Sequence, residues 1–171
     1  LQSIAHEFKT REVVVRSSAL SEDRADLSFA GAFDSFLGVP ACESALREAI
    51  EGVTASYDGN PRNQILVQPM LEGIVMSGVL MTKDLRDGSP YFVINYDDES
   101  GLTDTVTSGR GVNKTVSIYR NGSKSFIRSD RIRTIFELGW ELEQYYGGVP
   151  LDIEFAIDGS GHCYLLQVRP I

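Results

Sequence analysis

The chain has 171 residues, 42% of them hydrophobic and 23% charged, which is ordinary for a globular domain with a sizeable core. Its net charge of −8, without a block of consecutive basic residues, argues against a nucleic-acid or anionic-membrane surface as the main partner. No apolar run approaches the roughly 20 residues of a membrane-spanning helix, and no signal peptide is visible. We therefore predict a cytoplasmic location, with Cys42 and Cys163 as buried free thiols.

Alternating and β-branched apolar runs predict strands along most of the chain. In chain order the predicted strands cover residues 12–17, 33–39, 64–71, 74–82, 91–96 and 114–119, followed by a closing hairpin at 152–170. Two segments have apolar residues at helical spacing, namely residues 41–56 and a segment that starts after Ser129, a suitable N-cap. Because strands outnumber helices and the order is mixed, the pattern indicates an α+β fold.

The closing hairpin, DIEFAIDGSGHCYLLQVRP, has polar residues at alternate positions of both strands. Since strand side chains alternate between two faces, Asp152 and Glu154 are expected on one face together with Gln167 and Arg169. Carboxylate and amide oxygens suit Mg²⁺, and an arginine beside them can hold a phosphate. The alternative is a solvated face that carries an Asp–Arg ion pair worth about 0–1 kcal/mol.

The register of this hairpin follows from the length of its loop. A four-residue loop at 158–161 places Asp152 opposite Gln167 and makes Glu154 a diagonal neighbour of Gln167. The same register places Leu165 on the face of the two carboxylates and puts three residues of the second strand in the core, namely Tyr164, Leu166 and Val168.

The stretch VVVRSS ends the first predicted strand with Arg16, followed by Ser17 and Ser18. A guanidinium anchored at the end of a buried strand could hold a phosphate oxygen with little loss of entropy. The serine hydroxyls could add hydrogen-bond donors. The alternative is a structural ion pair between Arg16 and a carboxylate.

Three stretches together resemble a known family in their order and spacing: VVVRSSALSEDRADLSFAGAFDSFLGV, ILVQPMLEGIVMSGVLMTKD and PLDIEFAIDGSGHCYLLQVRPI. They are similar to the ATP-binding domain of phosphoenolpyruvate synthases and pyruvate phosphate dikinases, which belongs to the ATP-grasp class. The resemblance covers about residues 12–171. It implies an ATP-grasp-like fold of mixed or antiparallel sheets with a few helices, and an incomplete nucleotide-binding domain over 1–171. One lobe would combine 1–60 with 120–171, and a β-rich middle lobe would cover 61–119.

The resemblance also implies roles in the first half of the chain. ATP would lie between the two lobes, with Arg16 bound to its triphosphate and Ser17 beside it. The backbone of Gln68, Pro69 and Met70 would contact the adenine edge.

In the closing hairpin, the resemblance implies that Glu154 and Gln167 ligate Mg²⁺ and that Asp152 supports this site. Arg169 would stabilise the transferred phosphoryl group. Arg16 and Arg169 are therefore the predicted catalytic residues, and ATP and Mg²⁺ the predicted cofactors.

The implied activity is that of an ATP-dependent kinase or dikinase. A phosphoryl group would pass from ATP to a histidine on a separate domain, and then to pyruvate or a related acceptor. The family's phosphate-binding lysine segment, phosphohistidine domain and pyruvate-binding barrel have no counterpart in the 171 residues, so we expect these residues alone to be inactive. Two alternatives stay open: a non-catalytic nucleotide-sensing or scaffold module, and the ATP domain of an antibiotic or glucan phosphotransferase.

Overall fold

The structure is a computed structural model that describes residues 1–9, 11–18, 35–57, 59–103 and 113–171. Its elements in chain order are α1 (Gln2–Glu7), β1 (Glu12–Ser18), β2 (Ser35–Pro40), α2 (Glu43–Ala55), β3 (Gln64–Pro69), β4 (Ile74–Met81), β5 (Tyr91–Asp97), β6 (Lys114–Tyr119), a short 3₁₀ helix (Lys124–Phe126), α3 (Asp130–Tyr145), β7 (Leu151–Asp158) and β8 (Cys163–Pro170). The combination of helices with antiparallel sheets confirms the predicted α+β class.

The chain divides into two compact units, Leu1–Leu71 and Glu72–Ile171. This division differs from the predicted grouping of 120–171 with 1–60, because β7 and β8 share a sheet with β4 and β5. The β7 strand pairs directly with β4, so the closing hairpin extends the sheet of the middle strands.

In the first unit, three antiparallel strands form a sheet in the order β2-β1-β3, and α2 packs on one face of it. Val13 and Val15 alternate along β1 and are fully buried on the α2 side. The helix contributes the apolar stripe predicted from its spacing, with Leu46, Ala49 and Val53 buried in the same cluster. The β-branched run and the helical stripe thus form one core.

In the second unit, five antiparallel strands form a sheet in the order β6-β5-β4-β7-β8, and α3 packs on one face. Ser129 is the N-cap of α3, as predicted, and its Oγ accepts a 3.4 Å hydrogen bond from the backbone N–H of Ile132. Apart from Ile127, which precedes α3, the buried residues between α3 and the sheet come from the helix and from the three strands β4, β5 and β7: Met76, Leu80, Phe92, Ile94, Ile132, Ile135, Phe136, Leu151, Ile153, Phe155 and Ile157.

The α3 helix packs closely against sheet side chains at Gly139. A Cβ at this position would lie 2.5 Å from Leu80 Cδ2 and 3.2 Å from Phe92 Cε2. Both neighbouring side chains are fully buried. The absence of a side chain at Gly139 therefore sets the distance between the helix and the sheet.

A buried ion pair joins the end of β6 to the last turns of α3. Arg120 Nη2 donates a 2.6 Å hydrogen bond to Glu143 Oε1, and Glu143 is only 2% exposed. The guanidinium lies 4.5 Å from the Trp140 ring centroid, within cation–π distance. Among the residues that the structure describes, Glu143 Oε2 has no hydrogen-bond partner. The charge of Glu143 is thus compensated mainly by Arg120.

The composition led to expectations about the two cysteines and about membrane-spanning helices. Both cysteines are free thiols, but Cys42 is exposed and Cys163 half-buried, so the prediction that both are buried was wrong. Cys42 is the N-cap residue of α2. Within the described ranges, no helix combines the length and apolarity that crossing a membrane requires.

Candidate functional site

The face of the five-stranded sheet opposite α3, here called the polar face, carries the four polar residues of the closing hairpin. Because Ile153 is buried in the α3 core, its neighbours Asp152 and Glu154 lie on the other face. Asp152 stands opposite Arg169, and Glu154 stands opposite Gln167. The fold therefore brings all four predicted residues onto one face at adjacent positions.

The observed register of the hairpin corrects the predicted one. Asp152 pairs with Arg169 rather than with Gln167, and Glu154 lies directly opposite Gln167 rather than diagonally. The difference has two causes: Ile157 pairs with Cys163 rather than with His162, so the loop is one residue longer than predicted, and the register then shifts between Glu154 and Phe155 and skips Leu166. A strand that contains an unpaired extra residue does not keep a single alternation along its whole length.

The longer loop and the skipped residue together determine which β8 residues face the core. Before the skipped residue, Cys163 packs against the core and Tyr164 stands opposite Ala156, while after it Val168 packs against the core. The predicted core position of Val168 is confirmed, but Tyr164 lies on the polar face, where its hydroxyl donates a 3.0 Å hydrogen bond to Asp158 Oδ2. The predicted position of Leu165 on the polar face was wrong, since it stands opposite the buried Phe155.

The Asp152–Arg169 pair is the best-defined contact of the polar face. Arg169 donates from Nε and Nη2 to Asp152 Oδ2, at 2.9 and 2.6 Å. The side chains are only 14% and 20% exposed for Asp152 and Arg169. Asp152 Oδ1 is buried and has no hydrogen-bond partner in the described part of the chain. A buried carboxylate oxygen in this state is suited to accept a bond from a ligand or from a metal-bound water.

The donor set of the polar face fits Mg²⁺ held together with a phosphorylated ligand. Glu154 and Gln167 are directly opposite, so their Cβ atoms are about 4.5–5.5 Å apart. Over the described residues, no group of three or more His, Cys, Asp or Glu side chains is placed to hold a metal ion. A cation here would therefore take few protein oxygens and complete its shell with phosphate oxygens and water, as Mg²⁺ commonly does.

The polar face continues across the sheet into residues that the sequence analysis did not include. Val79 of β4 stands opposite both Glu154 and Asn95, and Asn95 stands opposite Thr115 of β6. Thr115 Oγ1 donates a 2.7 Å hydrogen bond to Asn95 Oδ1. Because Ile94 is buried, alternation along β5 is enough to predict that Asn95 lies on the opposite face. Only the strand order shows that Asn95 lies in line with Glu154 across the sheet.

In the first unit, Arg16 lies in the middle strand, opposite Leu66 of β3 and Ser35 of β2. Its side chain is on the face opposite α2, because Val15 and Ser17 on either side of it are buried. Ser17 is 6% exposed, so its hydroxyl and the Arg16 guanidinium point to opposite faces. The strand geometry therefore does not support the expectation that the Arg16 and Ser17 side chains bind the same phosphate.

The three residues predicted to contact adenine lie at the end of the first unit. Gln68 stands opposite Val14, which places it on the same face as Arg16. Pro69 ends β3, and the backbone N–H of Met70 donates a 2.9 Å hydrogen bond to Glu12 O. The backbone is thus fixed up to the boundary between the units, and the adenine contact stays a prediction.

A comparison with family models identifies the class to which this fold belongs, an AMP/ATP-binding domain. The model described as "Pyruvate phosphate dikinase, AMP/ATP-binding domain" matches residues 1–62 and 98–171. The chain belongs to this family. The matched ranges include Arg16 and the closing hairpin, whereas the predicted adenine contacts lie between them. Part of the first motif, residues 19–34, lies outside the described residues.

Several curated proteins are similar to the chain over most of its length. The uncharacterized phosphotransferase YvkC of Bacillus subtilis (strain 168) is 27% identical, with 94% of this chain and 24% of the relative aligned. The phosphoenolpyruvate synthase of Pseudomonas aeruginosa (strain UCBPP-PA14) is 27% identical, with 92% and 27% aligned. A rifampicin phosphotransferase of Streptomyces sp is 26% identical, with 99% and 24% aligned. The chain thus spans about a quarter of the length of these relatives.

Proposed function

We propose that the chain is the nucleotide-binding portion of an ATP-dependent phosphotransferase that forms a phosphohistidine on a separate domain. Pyruvate or a related acceptor then receives the phosphoryl group. Family membership supports the use of ATP. The observation that carries the proposal is the placement of the Glu154–Gln167 pair next to the Asp152–Arg169 ion pair on one face. Phosphoryl transfer depends mainly on positioning and charge neutralisation, which such a group of side chains supplies.

On the polar face, Glu154 and Gln167 would hold Mg²⁺ through their side-chain oxygens. Mg²⁺, when bound, neutralises phosphate charge. Asp152 fixes the guanidinium of Arg169 through Oδ2, so that Arg169 can direct Nη1 at a phosphoryl oxygen without a large loss of side-chain entropy. Asp152 Oδ1 would accept a hydrogen bond from a water of the metal shell.

In the first unit, the proposal keeps the roles implied by family resemblance. Arg16 would bind the triphosphate, whereas the Ser17 hydroxyl lies on the opposite face of β1 and would not share this contact. Gln68, Pro69 and Met70 would contact the adenine edge through their backbone. The hydrogen bond from Met70 N to Glu12 O supports a fixed backbone there.

The chemistry consists of two substitutions at phosphorus. In the first, a P–O bond of ATP breaks, a P–N bond to a neutral imidazole forms, and the nucleotide leaves with the bridging oxygen. In the second, the P–N bond breaks and a P–O bond to the acceptor forms. The histidine and the acceptor site would lie in further domains, which agrees with relatives about four times as long as the chain.

Calorimetry of Mg²⁺-ATP binding to the complete gene product tests the nucleotide site. Glu154→Gln should weaken binding at least about tenfold, because it removes a charged metal ligand while keeping its shape. Glu141→Gln is a matched control at an exposed position of α3, on the other side of the sheet. Binding that is equal in wild type and Glu154→Gln, or no binding by wild type, would contradict the proposal.

Incubation with ATP labelled at the β or γ phosphate tests the transfer itself. We expect an acid-labile, base-stable protein phosphate, as a phosphohistidine requires, and its discharge by pyruvate. The rifampicin phosphotransferase among the relatives makes an antibiotic the second candidate acceptor. Discharge by rifampicin instead of pyruvate supports that candidate. ATP binding without a labelled protein supports a non-catalytic nucleotide-binding module.

A further inference from the structure

We propose that Asn95 is a further phosphate-binding residue of the polar face and that Thr115 is its positioning residue. The inference rests on the proposed function, since it assumes that a Mg²⁺-nucleotide occupies the face beside Glu154. It adds a contact from β5, a strand that lies in the part of the chain not matched by the family model.

The sheet geometry places Asn95 at the right distance. Glu154, Val79 and Asn95 occupy one row on three neighbouring strands. Strands lie about 4.7–4.9 Å apart, so the backbones at Glu154 and Asn95 are roughly 10 Å apart. A cation bound at Glu154 holds phosphate oxygens about 2.1 Å away from itself. A phosphate bound in this way lies over Val79, between the two polar side chains.

The hydrogen bond from Thr115 determines which atoms Asn95 offers. Its amide oxygen accepts the 2.7 Å bond from Thr115 Oγ1. The amide group that Asn95 can offer to a ligand is therefore its NH₂, which is a donor with two hydrogens. A donor of this kind suits a phosphate oxygen and does not suit a cation. Asn95 thus complements Glu154 and Gln167, which offer oxygens.

The apolar residue Val79 on β4 lies between Glu154 and the NH₂ group of Asn95. Val79 is 8% exposed, so the middle of the row is apolar. The NH₂ group of Asn95 beside it is therefore not part of a continuous polar, solvated surface. A phosphate held over an apolar residue needs donors from the side, and Asn95 is positioned to give one. The other interpretation is a cross-strand Asn–Thr pair that only stabilises the sheet.

Calorimetry with Mg²⁺-ATP on the complete gene product separates the two interpretations. Asn95→Asp keeps the shape and replaces the NH₂ donor by a carboxylate oxygen, so affinity should fall at least about tenfold. Asn95→Leu is uncharged and similar in size, and it should weaken binding about fivefold or more. Thr115→Val should have a smaller effect in the same direction, because it removes only the group that orients the amide.

Ser117→Ala is the matched control, because Ser117 lies on the same face of β6 one row away, opposite Val93. Its affinity should stay within about twofold of wild type. Mg²⁺-tripolyphosphate is the second probe, and it should respond to Asn95→Leu as ATP does. That result shows that Asn95 contacts phosphate rather than the nucleoside.

Three outcomes would overturn the inference while leaving the proposed function in place, provided that Glu154→Gln still weakens binding at least about tenfold. The first is unchanged affinity in Asn95→Leu with a lower unfolding temperature, which shows a structural pair. The second is a loss with ATP but none with tripolyphosphate. The third is a loss in Asn95→Asp alone, which shows charge repulsion without a direct bond. Unchanged binding in Glu154→Gln would instead remove the proposed function itself.

Discussion

Arg169 donates two hydrogen bonds, from Nε and Nη2, to the same oxygen of Asp152, Oδ2. The second oxygen, Oδ1, is buried and has no partner within the described ranges. One carboxylate oxygen therefore holds the arginine in place, and the other takes no part in this ion pair. The ion pair that sequence analysis offered as an alternative to a ligand site is compatible with such a site.

The first prediction concerns Asp152. Asp152→Asn keeps a carbonyl acceptor for Arg169 but loses the negative charge, so Mg²⁺-ATP affinity should fall about tenfold with little loss of stability. Asp152→Ala should also cost about 1–3 kcal/mol of unfolding free energy, because the guanidinium loses both bonds. Calorimetry and urea unfolding measure the two effects. Wild-type affinity in both variants would show that Asp152 serves only the fold.

The second prediction concerns the buried pair of Arg120 and Glu143. Arg120→Met should cost about 3–5 kcal/mol, because it leaves a carboxylate that is 2% exposed without its cation. Combining it with Glu143→Leu should recover most of this loss, since both buried charges are then removed. Lys124→Met is the control, as its pair with Glu137 is exposed and worth about 0–1 kcal/mol. Urea unfolding of the 171-residue chain, followed through its single tryptophan, Trp140, gives these values. A double variant no more stable than Arg120→Met would argue against this explanation.

The third prediction concerns Gly139 of α3. Alanine is a better helix former than glycine by about 1 kcal/mol, but its Cβ would lie 2.5 Å from Leu80 Cδ2. Overpacking a rigid core costs about 1–3 kcal/mol, so Gly139→Ala should be a net destabilising change. Thr134→Ala, at an exposed position of the same helix, should be neutral or slightly stabilising. A gain in the unfolding midpoint for Gly139→Ala would show that the helix can move away from the sheet.

The fourth prediction concerns acid stability and Asp158. Hydrogen bonds from the Ser160 side chain, the His162 backbone and the Tyr164 hydroxyl hold the pKa of Asp158 well below its usual range. The unfolded chain has an aspartate pKa of about 3.9, so this contribution to stability is full above that pH and is lost as the pH falls below it. Asp158→Asn should therefore lower the unfolding midpoint at pH 7 and flatten its decrease as the pH falls below about 4. Glu141→Gln, on exposed helix surface, should keep the wild-type pH profile; an equally steep decrease in Asp158→Asn would exclude Asp158 as the cause.

Much of the fold could be predicted from local patterns. The β-branched run of β1 and the apolar stripe of α2 each identify an element and its buried face, because both depend only on periodicity. The N-cap at Ser129 was likewise readable from residue type. The short helix α1 lacks such a signal, since none of its residues is buried in the core, and it was not predicted.

The polar face could be predicted only in part. The alternation of β7 shows that Asp152 and Glu154 share a face, which needs no knowledge of the partner strand. The exact pairs depend on a residue skipped in β8, and alternation carries no information about that. The row to Asn95 and Thr115 depends on the strand order, which is set by long-range packing.

The unpaired position at Leu166 divides β8 into two stretches of opposite phase. Deleting this one residue would join the two stretches into one regular alternation, with Gln167 still opposite Glu154 and Arg169 still opposite Asp152. The face on which these side chains can meet a ligand is therefore set by pairing with β7, and the strand carries one extra residue between them and the hairpin tip without losing that face.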